Sequence, residues 1–336
     1  MRSLLIAVLG IFMFLSLAAA NAGADEVVVY TSLDQVFSQP VLEDFEKDTG
    51  IKVKAVYDVE ASKTTGLVNR LISEKNRPQA DVFWNSEVGR TLVLKEKGVL
   101  TPYHPENAAS IPSNFKDDEG YWTGFAARCR VLIYNTDMLS PDELPSSIFE
   151  LTDPRWKGKV TMAYPLFGTT ATQMAALYAE LGPKKTEDYL KDLKDNDVVI
   201  VDGNSVTRDI VVQGEVPIGF TDTDDANVAI SKGQPVEMMF PDKDGLGTLF
   251  IPNTVSLVKN SPNPEQGKQL IEYLLSREVE KKLAFSPSAQ IPLRKDVEVP
   301  DHVPGPSEYK AMEVDYQDIA DNLEESAEFC RDLFVR

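Results

Sequence analysis

The 336-residue sequence predicts an α/β protein made of two doubly wound α/β lobes joined by two hinge strands. Three observations carry this expectation. Short apolar strands alternate with amphipathic helices before residue 100, and the same alternation returns after residue 158. Two long strand-like segments, Trp122–Tyr134 and Thr248–Lys259, are placed to cross between the halves.

In the first half, Glu26–Thr31 (EVVVYT) is a near-continuous apolar run, as strands buried on both faces show. Phe37, Val41 and Phe45 recur at helical spacing up to a stop at Gly50. Lys52–Tyr57 is the second strand, and Leu67, Leu71 and Ile72 mark a helix closed by Pro78. Ala80–Trp84 (ADVFW) is the third strand, before a helix that runs through Leu92 to Lys97. Short connections in this order imply parallel strands with right-handed crossovers.

Trp122–Tyr134 (WTGFAARCRVLIY) reads as one strand with Arg128 and Arg130 on one face and Cys129 on the other. Two guanidiniums on an apolar strand require an anion, an acidic partner or open water. The second half then offers strands at Lys159–Ala163, Val198–Val201, Val216–Thr221 and Val236–Phe240. Helices are expected over Thr169–Leu181, around Tyr189–Leu193 and through Val206 and Ile210. A further amphipathic helix is expected over Glu265–Ser276, and one or two around Tyr316–Leu333. The expected lobes are 25–126 with about 256–305, and 127–255 with about 306–336.

In doubly wound sheets, ligands bind beyond the carboxyl ends of the strands. Those ends are polar here: Ser32 and Asp34, the 60–65 segment with Lys63, Ser86 and Glu87 after Trp84, Gly168-Thr169-Thr170, Asn204-Ser205, and Asp222 to Asp225. Any one serine or aspartate is accounted for as a helix N-cap. Their convergence on one edge of two facing lobes is what points to a ligand held in the gap.

Composition narrows the classes. Acids outnumber bases 53 to 34, a net charge of −19, which excludes nucleic acid and anionic membrane surfaces as partners. Met1-Arg2-Ser3, an apolar run to Leu17 and small residues ending at Ala24 form an expected signal peptide, residues 1–24. Cys129 and Cys330 are expected as two separate buried thiols. His104 and His302 lie outside the cleft loops, and no nucleophile, zinc or phosphate-loop motif is present. A secreted carboxylate-dependent hydrolase is the competing class; the expectation is a binding protein.

The VVVYTS start, ADVFW, RCRVLIYNTDML and GTLFIPNTVSLVKNSPNPEQGKQLIEYLLS closely resemble the ferric-iron-binding group of periplasmic solute-binding proteins. These belong to extracellular solute-binding protein family 1, with the type II periplasmic-binding fold, and serve ABC importers. The resemblance implies a soluble, monomeric periplasmic receptor that takes a small-molecule ligand to an ABC permease in the inner membrane. It implies no cofactor, apart from bound Fe³⁺ with an anion if iron is the ligand. Iron-binding members use a His after the first strand, a Glu after the third and two adjacent tyrosines. Those positions fall at Asp34, at Ser86 beside Glu87, and at Asp224-Asp225. The anion half is kept, at Arg128, Gly168, Thr169, Thr170, Asn204 and Ser205.

Two ligand readings follow. Asp34, Glu87, Asp224 and Asp225, with Asp222, could hold a hard cation such as Fe³⁺ together with a synergistic anion. Alternatively, the arginine and hydroxyl half takes the phosphate, phosphonate or carboxylate of an organic anion, and the acidic half takes an amine or sugar hydroxyls. The loss of every tyrosinate favours the organic anion.

Overall fold

The computed structural model describes residues 25–58, 65–305 and 307–335. The expected signal peptide and Lys63 lie outside the described residues. The first unit contains β1 (Glu26–Thr31), α1 (Gln35–Thr49), β2 (Lys52–Tyr57), α2 (Thr65–Ser73), β3 (Val82–Asn85), α3 (Gly89–Glu96) and β4 (Leu100–Thr101). The long β5 (Thr123–Asn135) leads to β6 (Val160–Ala163), α4 (Gly168–Leu181), α5 (Pro183–Asp195), β7 (Val199–Val201), α6 (Asn204–Val212), β8 (Ile218–Asp222), α7 (Thr223–Ile230) and β9 (Val236–Met239). The chain ends with β10 (Phe250–Val258), α8 (Pro264–Leu274), α9 (Arg277–Ala284) and α10 (Tyr316–Leu333).

The strands form one path, β2-β1-β3-β10-β5-β8-β6-β7, with β4 on β10 and β9 on β5. β1 pairs in parallel with β2 and β3, and β6 pairs in parallel with β7 and β8, so each half is wound as its sequence predicts. β5 is buried along its whole length, paired with β10 in its first half and with β8 and β9 in its second. Its residues Thr123 to Cys129 pair antiparallel with β10, and Arg130 to Tyr134 with β8.

β10 begins at Phe250 and pairs with β3, β4 and β5. Its first residues, Phe250 and Ile251, lie opposite Cys129 and Arg128, and the Arg130 N–H donates to the Leu249 carbonyl, so β10 runs beside β5 where β5 passes between the halves. The crossing at β5 carries a bulge. Ala127 pairs with Pro252 and Phe125 with Asn253, so Ala126 is an extra residue, held at φ +41°. Pro252 has no N–H to give the ladder, which accounts for an irregularity at this point.

Side chains satisfy what the bulge leaves open. The Ala126 N–H donates to Glu280 Oε1 (3.1 Å), and Asn253 Nδ2 donates to the Ala126 carbonyl. Asn253 also donates to Gln290 Oε1 (2.8 Å) and accepts from Trp84 Nε1 (3.3 Å). Ala127 and Ile291 exchange two backbone bonds of 2.7 Å. Glu280 is buried and paired with Arg294 at 2.7 Å.

The helix predicted over Glu265–Ser276 is α8, and α9, which is not predicted, follows it directly. Ser276 stops the first and caps the second, its hydroxyl accepting from Val279 N at 3.2 Å. α10 packs against both α3 and α4, with Ile319 and Leu323 beside Val88, Leu92, Ala175 and Ala176. Both cysteines are free and buried, and burial pushes the Cys330 thiol up to about 12. Among the described residues, no helix is long and apolar enough to cross a membrane.

Candidate ligand-binding site

The carboxyl ends of β1, β3, β6, β7 and β8 meet around the two arginines of β5. On the first-unit side, Ser32 stitches two loops together. Its hydroxyl donates to Asn85 Oδ1 (2.6 Å) and accepts from Ser86 N (2.8 Å). Asp34 stands before α1 but makes no side-chain cap bond; the helix start bonds to its backbone carbonyl instead. Trp84 is fully buried against Phe125 and Asn253, so it supports the β5 bulge from inside the first sheet.

Glu87 turns inward. Its carboxylate accepts from Arg90 N (3.0 and 3.1 Å), Asn85 Nδ2 (3.2 Å) and, from α4, Thr172 Oγ1 (3.2 Å). Full burial raises its pKa, against the opposing pull of Arg90 and these hydrogen bonds. A folded-state value above the unfolded one means that its contribution to stability is complete below the unfolded pKa. That contribution is lost as pH rises through the folded value. Carbon-13 NMR of the Glu87 carboxyl should show it titrating above the ordinary glutamate range. A value at or below that range would contradict this account.

On the second-unit side, Gly168 at φ +54° turns the chain into α4 and sets Thr169 and Thr170 at its start. Asn204 and Ser205 open α6. Asp222 ends β8, and the expected 222–225 loop is instead the start of α7, which carries Asp224 and Asp225 in its first turn.

The two arginines differ. Arg130 is fully buried and bonds to Asp222 Oδ1 (2.6 Å), Thr169 Oγ1 (3.2 Å) and Asn204 Oδ1 (3.2 Å), with its guanidinium over the Phe220 ring. Thr169 Oγ1 and Asn204 Nδ2 also donate to the other Asp222 oxygen, at 2.5 and 3.0 Å. Thr169 and Asn204, which the resemblance gives to a ligand anion, thus join Arg130 around the protein's own Asp222 carboxylate. Thr170 is one step back, donating to Asn204 Oδ1 at 3.3 Å.

Arg128 is 4% exposed and spans the gap. Its Nη1 bonds to Asp224 Oδ2 (2.9 Å) and its Nη2 to the Ser86 carbonyl (3.0 Å). Burial opposes its charge, but Asp224, Asp222, Asp34 and Asp225 outweigh burial and raise its pKa. Asp222, Asp224 and Asp225 each offer an oxygen within 4.8 Å of the others. Sequence reading does not single out Arg208, on α6. It lies here with Nη1 3.4 Å from Asp225 Oδ1.

Because Arg128 joins the β3 loop to α7, Arg128→Ala removes a bond that ties the two sides of the gap together. Binding of a ligand held between them should weaken by roughly ten- to a hundredfold, the worth of about 1.5–3 kcal/mol for that charge-assisted hydrogen bond. Calorimetry with an amine-bearing phosphonate, the organic-anion class considered from sequence, read beside thermal melting, checks this. Unchanged affinity in a folded variant would contradict it.

Two facing α/β units with charged side chains of both signs meeting in the gap define a solute-binding receptor. The model for bacterial extracellular solute-binding proteins matches residues 41–313, and the chain belongs to that family. Iron uptake protein A1 of a Synechocystis species is 29% identical over 289 residues, 81% of this chain and 78% of that protein. A putative 2-aminoethylphosphonate-binding periplasmic protein of Salmonella typhimurium is 28% identical over 316 residues, 91% of this chain and 88% of that protein. Among solved structures, iron-bound HitA from Pseudomonas aeruginosa superposes with a TM-score of 0.84 at 24% identity, covering 93% of this chain and all of that one. AfuA from Actinobacillus pleuropneumoniae, with fructose-6-phosphate bound, gives 0.82 at 22%, covering 92% and 98%. These likenesses establish the type II periplasmic-binding fold and a binding protein rather than an enzyme. For the relatives named for iron, iron is what is taken up or bound, not a cofactor.

Proposed function

We propose that this chain is the solute-binding component of an ABC importer that captures a small zwitterionic solute, an amine bearing a phosphonate, phosphate or carboxylate. It acts as a monomer in the periplasm and delivers the solute to a permease in the inner membrane. The observation that carries the reading is the alternation of charge around the gap. Adjacent Asp224 and Asp225 pair with different arginines, Arg128 at 2.9 Å and Arg208 at 3.4 Å. An ammonium group suits the carboxylates and an anionic group suits the guanidiniums, each through charge-assisted hydrogen bonds. The relative named for 2-aminoethylphosphonate supports this class of ligand. Closure of the lobes about Ala126–Ala127, where the β5 bulge lies, would bury the solute between them.

A second reading rests on the Asp222, Asp224 and Asp225 oxygens within 4.8 Å of one another: ferric iron on carboxylates, with an anion completing its shell. Calorimetry of wild type and Asp224→Asn with 2-aminoethylphosphonate, inorganic phosphate and ferric citrate separates the two. The proposal expects the aminophosphonate to bind best and Asp224→Asn to weaken it. Tight stoichiometric iron binding, abolished by Asp224→Asn, would replace it with the ferric reading.

A further inference from the structure

We propose that Arg208 is the specificity-determining cation of the cleft, receiving the ligand's anionic group by exchanging its contact with Asp225 for one with the ligand. This rests on the zwitterion reading above. Arg128, Arg130 and Arg208 stand near the gap, and they are committed to different degrees. Arg130 is fully buried, holds Asp222 at 2.6 Å and lies on the Phe220 ring. Arg128 is nearly as buried and is divided between Asp224 and the Ser86 carbonyl, at 2.9 and 3.0 Å. For either of them to bind a ligand anion, a short, desolvated bond must break, leaving a buried carboxylate or carbonyl without its donor.

Arg208 carries no such commitment. Its side chain is 17% exposed, and its contact with Asp225 is long, at 3.4 Å. Its Nε bonds at 2.8 Å to Asp209, whose side chain is half exposed and readily solvated. Its Nη2 makes no hydrogen bond to any described residue. Burial disfavours its charge, but the Asp209 hydrogen bond and the charges of Asp225, Asp209 and Asp34 prevail. A partly solvated guanidinium with a long bond gives up little when a ligand anion replaces that bond, and it keeps two N–H groups for a fork on phosphonate or carboxylate oxygens.

The test compares wild type, Arg208→Gln and Arg208→Lys by calorimetry. The probes are 2-aminoethylphosphonate and ethanolamine, which keeps the amine but lacks the anion; NMR titration serves for the weaker binder. Arg208→Gln should reduce the preference for the aminophosphonate over ethanolamine by roughly ten- to a hundredfold, and Arg208→Lys should recover part of it. A structural role would weaken both probes alike and leave their ratio unchanged, which would overturn the assignment. So would full aminophosphonate affinity in folded Arg208→Gln; in both cases the zwitterion reading stands. Failure of wild type to bind the aminophosphonate removes that reading, and the Arg208 assignment with it.

Discussion

Replacing Arg130 with alanine should lower the unfolding free energy by about 3–5 kcal/mol, the cost of leaving a buried carboxylate without its partner. The reason is the geometry around Asp222. Its two oxygens accept from Arg130, Thr169 and Asn204, and of these donors only the guanidinium carries a charge. The expected loss belongs to folding, because Arg130 holds the β8 end against α4 and α6. Urea unfolding of Arg130→Ala checks it; a midpoint close to wild type would show that Asp222 is neutralised in some other way. Arg130→Lys should recover only part, since an ammonium cannot both reach Asp222 and lie flat on Phe220.

A loss of the same size, about 3–5 kcal/mol, is expected for Arg294→Ala at the bulge. Arg294 Nη1 bonds to Glu280 Oε2 at 2.7 Å, its Nε to Ser110 Oγ at 2.8 Å, and its Nη2 to the Leu275 carbonyl at 2.6 Å. Glu280 uses its other oxygen to hold the N–H groups of Ala126 and Leu293, at 3.1 and 2.9 Å. Without Arg294, a buried carboxylate would remain under the positive-φ residue that breaks β5. Denaturation with ligand binding measured in parallel separates the effects. An unchanged unfolding midpoint would mean that Glu280 is held by its backbone donors alone.

The sequence shows the winding of each half because parallel strands buried on both faces leave apolar runs, and Gly50 and Gly98 punctuate the helices between them. It also shows Arg128 and Arg130 on one face of a strand, since that requires only the two-residue period. Their partners are not local. Arg130 meets Asp222, and Arg128 meets Asp224, only after β8 is laid antiparallel against β5, and Arg128 meets Ser86 only once β10 sets β3 beside β5. Antiparallel insertion of β10 beside β3 is equally non-local, so its registry and the Ala126 bulge have no sequence signature beyond Pro252. Helix α9 is hidden because Val279 and Leu283 continue the apolar pattern of α8 across Ser276. Arg208 sits in the polar stretch NSVTRDIVV, where a lone arginine reads as a solvated helix face. What distinguishes it is its neighbour across the α6–α7 contact, Asp225.

The roles sketched for the two halves of the site change accordingly. The resemblance gives Thr169 and Asn204 to a ligand anion, whereas here they bond, with Arg130, to Asp222. The charges that face the gap are Arg128 and Arg208 with Asp224 and Asp225, an arrangement suited to a ligand carrying both signs.

Native mass spectrometry of the protein purified without unfolding tests the central claim most directly. One small organic zwitterion per chain, released on denaturation and unaccompanied by iron, is the predicted result. One iron atom per chain, retained through purification and lost in Asp224→Asn, would contradict it.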